Sequence, residues 1–122
     1  ISALDAIVMQ QRIHRHGEGS TRRITEIAEV SGMEDGKPQL SRVYKWNPKE
    51  DTLEATGVPS TIKKSIADFA GVGGREIEKE IKRRAAILEW MKEEDIRDIE
   101  KVVTIINRYY KDPQRLMERI TS

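Results

Sequence analysis

Four polar residues in the first part of the chain offer the strongest case for chemistry. They are Gln11 and Arg12 in "QQRIHR", and Arg22 and Arg23 in "RRITEIAEV". A guanidinium presents a planar fork of N–H donors that matches carboxylate or phosphate oxygens, so one of Arg22 and Arg23 is a candidate for holding an anion or reaching a neighbouring subunit. On a strand, successive residues point to opposite faces, so Arg22 and Arg23 serve different surfaces. The simpler role for either is cross-strand pairing with Glu26, Glu29 or Asp5, worth roughly a few tenths of a kcal/mol each. For Gln11 and Arg12 the competing role is a solvated strand end. Thr25 and Glu26 lack a nucleophile-and-base partner, so no catalytic role follows from them. His14 and His16 share a strand face, but no third His, Asp or Glu stands at a metal-ligand spacing. No catalytic residue and no metal ligand emerges.

These side chains need a sheet to position them. Residues 4–15 form a strand candidate whose first half is apolar on both faces, as in a sheet covered on both sides. "HGEGST" makes a turn, and residues 22–31 return as the second strand. After the loop "GMEDGKP", strands follow at 39–46 and 52–56, joined by a tight turn that Asn47-Pro48 starts and Asp51 closes. Beyond Gly57-Val58-Pro59 the apolar period becomes helical.

Four helices are expected after that point. Ser60 caps the first, with Ile62, Ile66 and Phe69 on one face and Gly71 ending it. The second runs from near Gly74 to about Glu93, with Ile77, Ile81, Ala85, Leu88 and Met91 as its stripe. Asp95 caps the third, whose face is Ile99, Val102, Val103, Ile106, Tyr109 and Tyr110. Asp112-Pro113 stops it and restarts the last helix, which carries Leu116, Met117 and Ile120. The fold class is therefore α+β: hairpins over residues 4–56, then a helical bundle. The expected division is a hairpin region, 1–57, and a helical subdomain, 58–122.

On the second helix Lys79, Lys82, Arg83 and Arg84 are interleaved with Glu76, Glu78 and Glu80, including the i,i+4 pair Glu80–Arg84. That describes an ion-paired, solvated face better than a nucleic-acid surface. Trp90, Tyr109 and Tyr110 are expected to fill the helical core.

Composition narrows the classes. The 122 residues are 35% charged with a formal net charge of +1, so no bulk field draws the chain to nucleic acid or membrane. Residues 1–57 carry 8 basic and 9 acidic groups, and residues 58–122 carry 14 and 12. There is no cysteine, hence no disulfide framework and no thiolate metal site, which fits a reducing cytosol. The apolar runs are too short to cross a bilayer. The first residue is Ile1 rather than Met, and functional parts are expected upstream.

With these pieces in order, a family resemblance becomes specific. "SALDAIVMQQRIHR", a Gly-rich turn and "RRITEIAEV" resemble the closing hairpin of the secretion and pilus-assembly ATPases, the hexameric motors of type II and type IV secretion, type IV pili and the archaeal flagellum. "VYKWNPKEDTLE", "EIEKEIKRRAAILEWM" and "VVTIINRYYKDPQRLMERI" are similar to the archaeal branch. The resemblance covers essentially the whole chain. It implies a cytoplasmic parent at the inner face of the membrane, with partners in other copies of itself and an inner-membrane platform protein. It also implies ATP and Mg bound by a RecA-like domain, with nucleic acid not expected as a partner. In the family this hairpin lies on the RecA-like sheet near the nucleotide, so Gln11, Arg12, Arg22 and Arg23 become nucleotide or inter-subunit candidates.

The phosphate-binding loop itself is missing. A Walker A loop requires Gly-x4-Gly-Lys-Ser/Thr. Here Gly36-Lys37 is followed by Pro38, and Ser31 stands where the first glycine belongs. The piece is expected to hydrolyse no ATP by itself, and to have an orphaned strand edge that leads to dimerisation, strand exchange or disorder over residues 1–31. The competing reading is a free-standing module that binds a protein or RNA.

Overall fold

The computed structural model describes residues 4–122. Four strands, β1 (Ala6–Arg15), β2 (Gly19–Glu34), β3 (Lys37–Asn47) and β4 (Thr52–Ala55), precede four helices: α1 (Thr61–Ala70), α2 (Gly74–Glu93), α3 (Ile99–Lys111) and α4 (Pro113–Thr121). The strands form one antiparallel sheet in the order β1-β2-β3-β4. The fold is α+β, with the sheet first and the helices after it.

Turn chemistry explains why the strands outrun their expected ends. "GMEDGKP" is strand on both sides of a two-residue turn. Asp35 and Gly36 take φ of 51° and 74°, and Glu34 pairs directly with Lys37. Two successive left-handed residues match the twist of a hairpin, so the ladder continues to the tip. The β3–β4 turn is built as its residues suggest: the Asn47 side chain accepts from the amides of Lys49 (2.9 Å) and Glu50 (3.2 Å), and Asp51 closes it at φ 53°.

The chain forms two compact units, the first running through Phe69 and the second from Ala70 to Ser122. The division thus falls one helix later than Gly57-Val58-Pro59. The reason is a buried carboxylate. Glu29 of β2, 4% exposed, accepts from the Ser60 hydroxyl and from the backbone amides of Thr61 (2.7 Å) and Ile62 (3.1 Å). Ser60 in turn accepts from the Lys63 amide at 3.1 Å, as a helix cap should. The first-turn amides of a helix have no partner within it, and Glu29 supplies one from the sheet. Lys63 also donates to the Tyr44 hydroxyl at 2.7 Å.

In this unit Ala28, Val43 and Ala67 are buried, while β1 is half open: Val8 and Met9 are 55% and 43% exposed. The two-sided burial expected of the first strand is not found. β1 is an edge strand, bonded to β2 alone. The disturbance expected over residues 1–31 falls partly on residues 1–3, outside the described residues.

The second unit has its own core of Ile87, Met91, Ile105, Tyr109 and Leu116, with Trp90, Ile96, Val102, Met117 and Ile120 packed against it. Asp112 caps α4 by accepting from the Arg115 amide, and Pro113 takes the first helical position. The cap of α3 is Asp98 rather than Asp95. Asp98 accepts from the Glu100 amide at 2.9 Å, while Asp95 sits at φ 56° and pairs with Arg97. The apolar stripes of α2 and α3 are rotated from those expected. Ile81, Leu88, Ile99, Val103, Ile106 and Tyr110 are exposed, as are Ile66 and Phe69 of α1.

Candidate functional site

The β1–β2 ladder brings the four candidate residues together. Gln11 stands opposite Arg23, and Arg12 stands opposite Arg22 one step along, on the other face of the hairpin. The two pairs have different surroundings.

On one face Arg23 is fully occupied. Its Nε donates to Asp51 Oδ1 at 2.8 Å and a terminal nitrogen to Oδ2 at 3.0 Å, a bidentate fork. The other terminal nitrogen donates to the Thr21 hydroxyl (2.8 Å) and the Arg22 carbonyl (3.0 Å). Trp46 Nε1 donates to Asp51 Oδ1 at 2.8 Å, and Arg15 donates to the Pro48 carbonyl at 3.2 Å. Glu18 lies 3.3 Å from Arg15 and 3.5 Å from Arg23. The cluster ties the β1–β2 turn to the β3–β4 turn.

The hydrogen bond from Arg23, then that from Trp46, holds the Asp51 carboxyl well below the usual carboxylate range, and the Asp51 bond raises Arg23. Arg23 therefore makes the structural ion pair anticipated for it, but with Asp51 in place of Glu26, Glu29 or Asp5. Glu26 pairs with Arg42 at 2.6 Å, and Glu29 is taken by α1.

A carboxyl whose folded pKa is depressed contributes stability above its unfolded value, 3.8, and loses it as pH falls below that value toward the folded one. In a Trp90→Phe background, Asp51→Asn should therefore flatten the acid limb of stability for the first unit, followed by Trp46 fluorescence between neutral pH and about pH 2. An unchanged acid limb would show that folding does not depress the Asp51 pKa.

On the other face, Arg12 and Arg22 are exposed and directly opposed, and among the described residues no carboxylate meets either. Like charges facing each other across a strand pair repel, so this position favours an anion placed between them. Gln11 is exposed opposite Arg23, and its side chain makes no hydrogen bond among the described residues. Of the four candidates, then, Arg23 is structural, Arg12 and Arg22 form an open cationic pair, and Gln11 lies on the opposite face.

The chain's only Gly-Lys sequence does not form a phosphate cradle. Gly36 is the second turn residue of the exposed β2–β3 tip, Lys37 pairs with Glu34, and Pro38 has no amide to offer. These residues do not fit a nucleotide triphosphate. No group of three or more His, Asp or Glu suited to a metal occurs among the described residues.

The cluster on α2 is ion-paired. Glu80 lies 3.1 Å from Arg84 and 3.3 Å from Arg83, and Lys79 lies 3.7 Å from Glu76. Tyr109 donates its hydroxyl to Glu80, while Arg84 lies over the rings of Tyr109 and Tyr110 at 5.7 and 5.6 Å. The Tyr109 bond lowers the Glu80 pKa, and burial raises that of Tyr109. Tyr109 fills the core as expected and Trp90 packs against it, but Tyr110 is 67% exposed.

Sequence reasoning missed the Asp51–Trp46 partnership with Arg23. The usable signal was the pair of turns, since a meander brings its first and third turns to the same end of the sheet. No helix among the described residues is long and apolar enough to cross a membrane.

No known family's sequence profile matches the chain. Two archaeal proteins are similar to it. The uncharacterized protein MJ0781 of Methanocaldococcus jannaschii is 31% identical over 122 residues, which is 98% of this chain and 17% of that protein. The uncharacterized protein MJ1287 of the same organism is 38% identical over 90 residues, 72% of this chain and 33% of that protein. The chain thus spans a third or less of the curated relatives it matches.

Proposed function

We propose that the chain is the C-terminal part of a secretion or pilus-assembly ATPase of the archaeal branch. Its sheet completes the edge of a RecA-like sheet, and its helices carry contacts to neighbouring subunits and to an inner-membrane platform protein. The observation that carries this reading is β1, a ten-residue edge strand with Val8 and Met9 exposed beside its open backbone. A long edge with apolar side chains is a liability in an isolated sheet and an asset in one that continues into further strands. That sequence related to this chain occurs within much longer archaeal proteins agrees with it.

In this reading ATP and Mg are held by residues of the larger protein, in the cytoplasm at the inner face of the membrane. Arg12 and Arg22 meet an anion there, either nucleotide phosphate or a neighbouring subunit's carboxylate. Arg23 stays with Asp51 and orients the hairpin.

The test has two arms. The reading frame containing Ile1 should encode a Gly-x4-Gly-Lys-Ser/Thr loop upstream. The longer product should release phosphate from ATP while the 122-residue chain does not. In that product, replacing Arg12 and Arg22 with alanine should slow turnover by about tenfold or more. A frame without the loop, or turnover by the short chain alone, sinks the reading. Salt-dependent RNA binding in its place would favour an interaction module.

A further inference from the structure

The last two helices gather a set of cations with no paired carboxylate among the described residues. Arg108 and Lys111 of α3, with Arg115 and Arg119 of α4, line an open groove of about 710 Å³ whose other lining residues are Asp112 and Leu116. None of the four cationic side chains makes a hydrogen bond or ion pair among the described residues. Asp112, the single acid in the lining, is engaged in capping α4 through the Arg115 amide. This differs from α2, where Arg83 and Arg84 share Glu80.

A second hollow of about 260 Å³ adjoins the groove. The two share Arg108, Leu116 and Arg119, and the second is also lined by Trp90, Ile96 and Ile105 together with Lys101 and Thr104. The second hollow thus adds the apolar side chains of Trp90, Ile96, Ile105 and Leu116 beside the cations Lys101, Arg108 and Arg119. Groove and hollow both lie within the second compact unit.

We infer that groove and hollow together are a docking site for an acidic polypeptide segment, one whose carboxylates meet Arg108, Lys111, Arg115 and Arg119 and whose apolar side chain enters beside Trp90. The inference stands on the second unit alone and does not depend on the ATPase reading.

Three observations favour a polypeptide. Three of the four cations are arginines, whose fork binds carboxylates bidentately. The apolar lining would be idle against a polyphosphate but suits a peptide side chain. A lipid surface is flat, whereas this site is concave and helix-walled.

The experiment uses the full chain and fluorescence anisotropy. The probes are a fluorescein-labelled Glu/Asp-rich peptide with one central leucine, its Gln/Asn counterpart, and a version with serine in place of leucine. A single-stranded oligonucleotide and phosphatidylglycerol vesicles are competitors. The acidic peptide should bind saturably and more weakly as salt rises, the Gln/Asn peptide should not bind, and the serine version should bind more weakly. The triple variant Arg108→Gln, Arg115→Gln, Arg119→Gln should lose about tenfold or more in affinity. Lys82→Gln on α2 should lose nothing, and far-UV circular dichroism should show both variants folded. Absence of peptide binding, unchanged affinity in the triple variant, equal binding of the serine peptide, or equal or tighter binding of the oligonucleotide or vesicles would each overturn the inference.

Discussion

Glu29→Ala is expected to destabilise the first compact unit by about 2–4 kcal/mol, the largest effect of any polar substitution in the chain. Glu29 is a carboxylate buried to 4% exposure. It is retained there because three donors converge on it, the Ser60 hydroxyl and the amides of Thr61 and Ile62. Alanine leaves those donors without an acceptor at a site closed to water, and a buried group left unpaired costs its desolvation. It also removes a negative charge from the positive end of the α1 dipole.

Glu29→Gln should fall between wild type and alanine, because one oxygen still accepts while the amide NH2 is turned against a donor. Each compact unit holds one of the chain's two tryptophans, Trp46 in the first and Trp90 in the second. Urea unfolding followed by Trp46 in a Trp90→Phe background therefore reports the first unit alone. A loss below about 1 kcal/mol for alanine would mean that α1 is not latched through this carboxylate.

Leu116→Ala should act as strongly on the second unit. Leu116 is 5% exposed and packs with Ile87, Met91, Ile105 and Tyr109. Truncating a buried leucine removes its transfer free energy and leaves a cavity, together about 2–5 kcal/mol. A unit spanning Ala70 to Ser122 has a total stability of only about 3–8 kcal/mol by its size. The thermal midpoint, read by helical circular dichroism and Trp90 fluorescence, should drop by more than about 10 °C. Leu88→Ala is the internal comparison, since Leu88 is 60% exposed and should change stability by less than about 1 kcal/mol. If Leu88→Ala proved as damaging as Leu116→Ala, the helical core would have been placed on the wrong face of α2.

That comparison marks where legibility from sequence stops. The α+β class, the element order and the near-exact span of α2 could be read because turn residues and the change of apolar period are local signals. Ser60 and Asp112-Pro113 could be read for the same reason, since a cap acts within one helical turn. Asp95 was a poorer choice than Asp98 because both are aspartates before an apolar run, and the difference lies in which one adopts the extended conformation a cap requires. For the candidate site, an arginine's identity announced that it would bind an oxyanion. The identity of that oxyanion, Asp51 for Arg23 and none among the described residues for Arg12 or Arg22, depended on strand register and turn placement.

What the sequence by itself determined is the set of surfaces available to each element: the two-residue period of the strands, and an apolar arc on α3 wider than one neighbour can cover. Tertiary structure decided which part of that arc is used. Packing α2 and α4 against α3 buries Ile105 and Tyr109 and leaves Ile99, Val103 and Tyr110 outside, although all five are equally apolar in the pattern. It likewise joined Glu29 to Ser60 and Arg23 to Asp51, and gathered the cations of α3 and α4 into one groove. Periodicity records where a side chain stands on its own helix or strand. Burial and pairing are set by what another part of the chain brings to meet it.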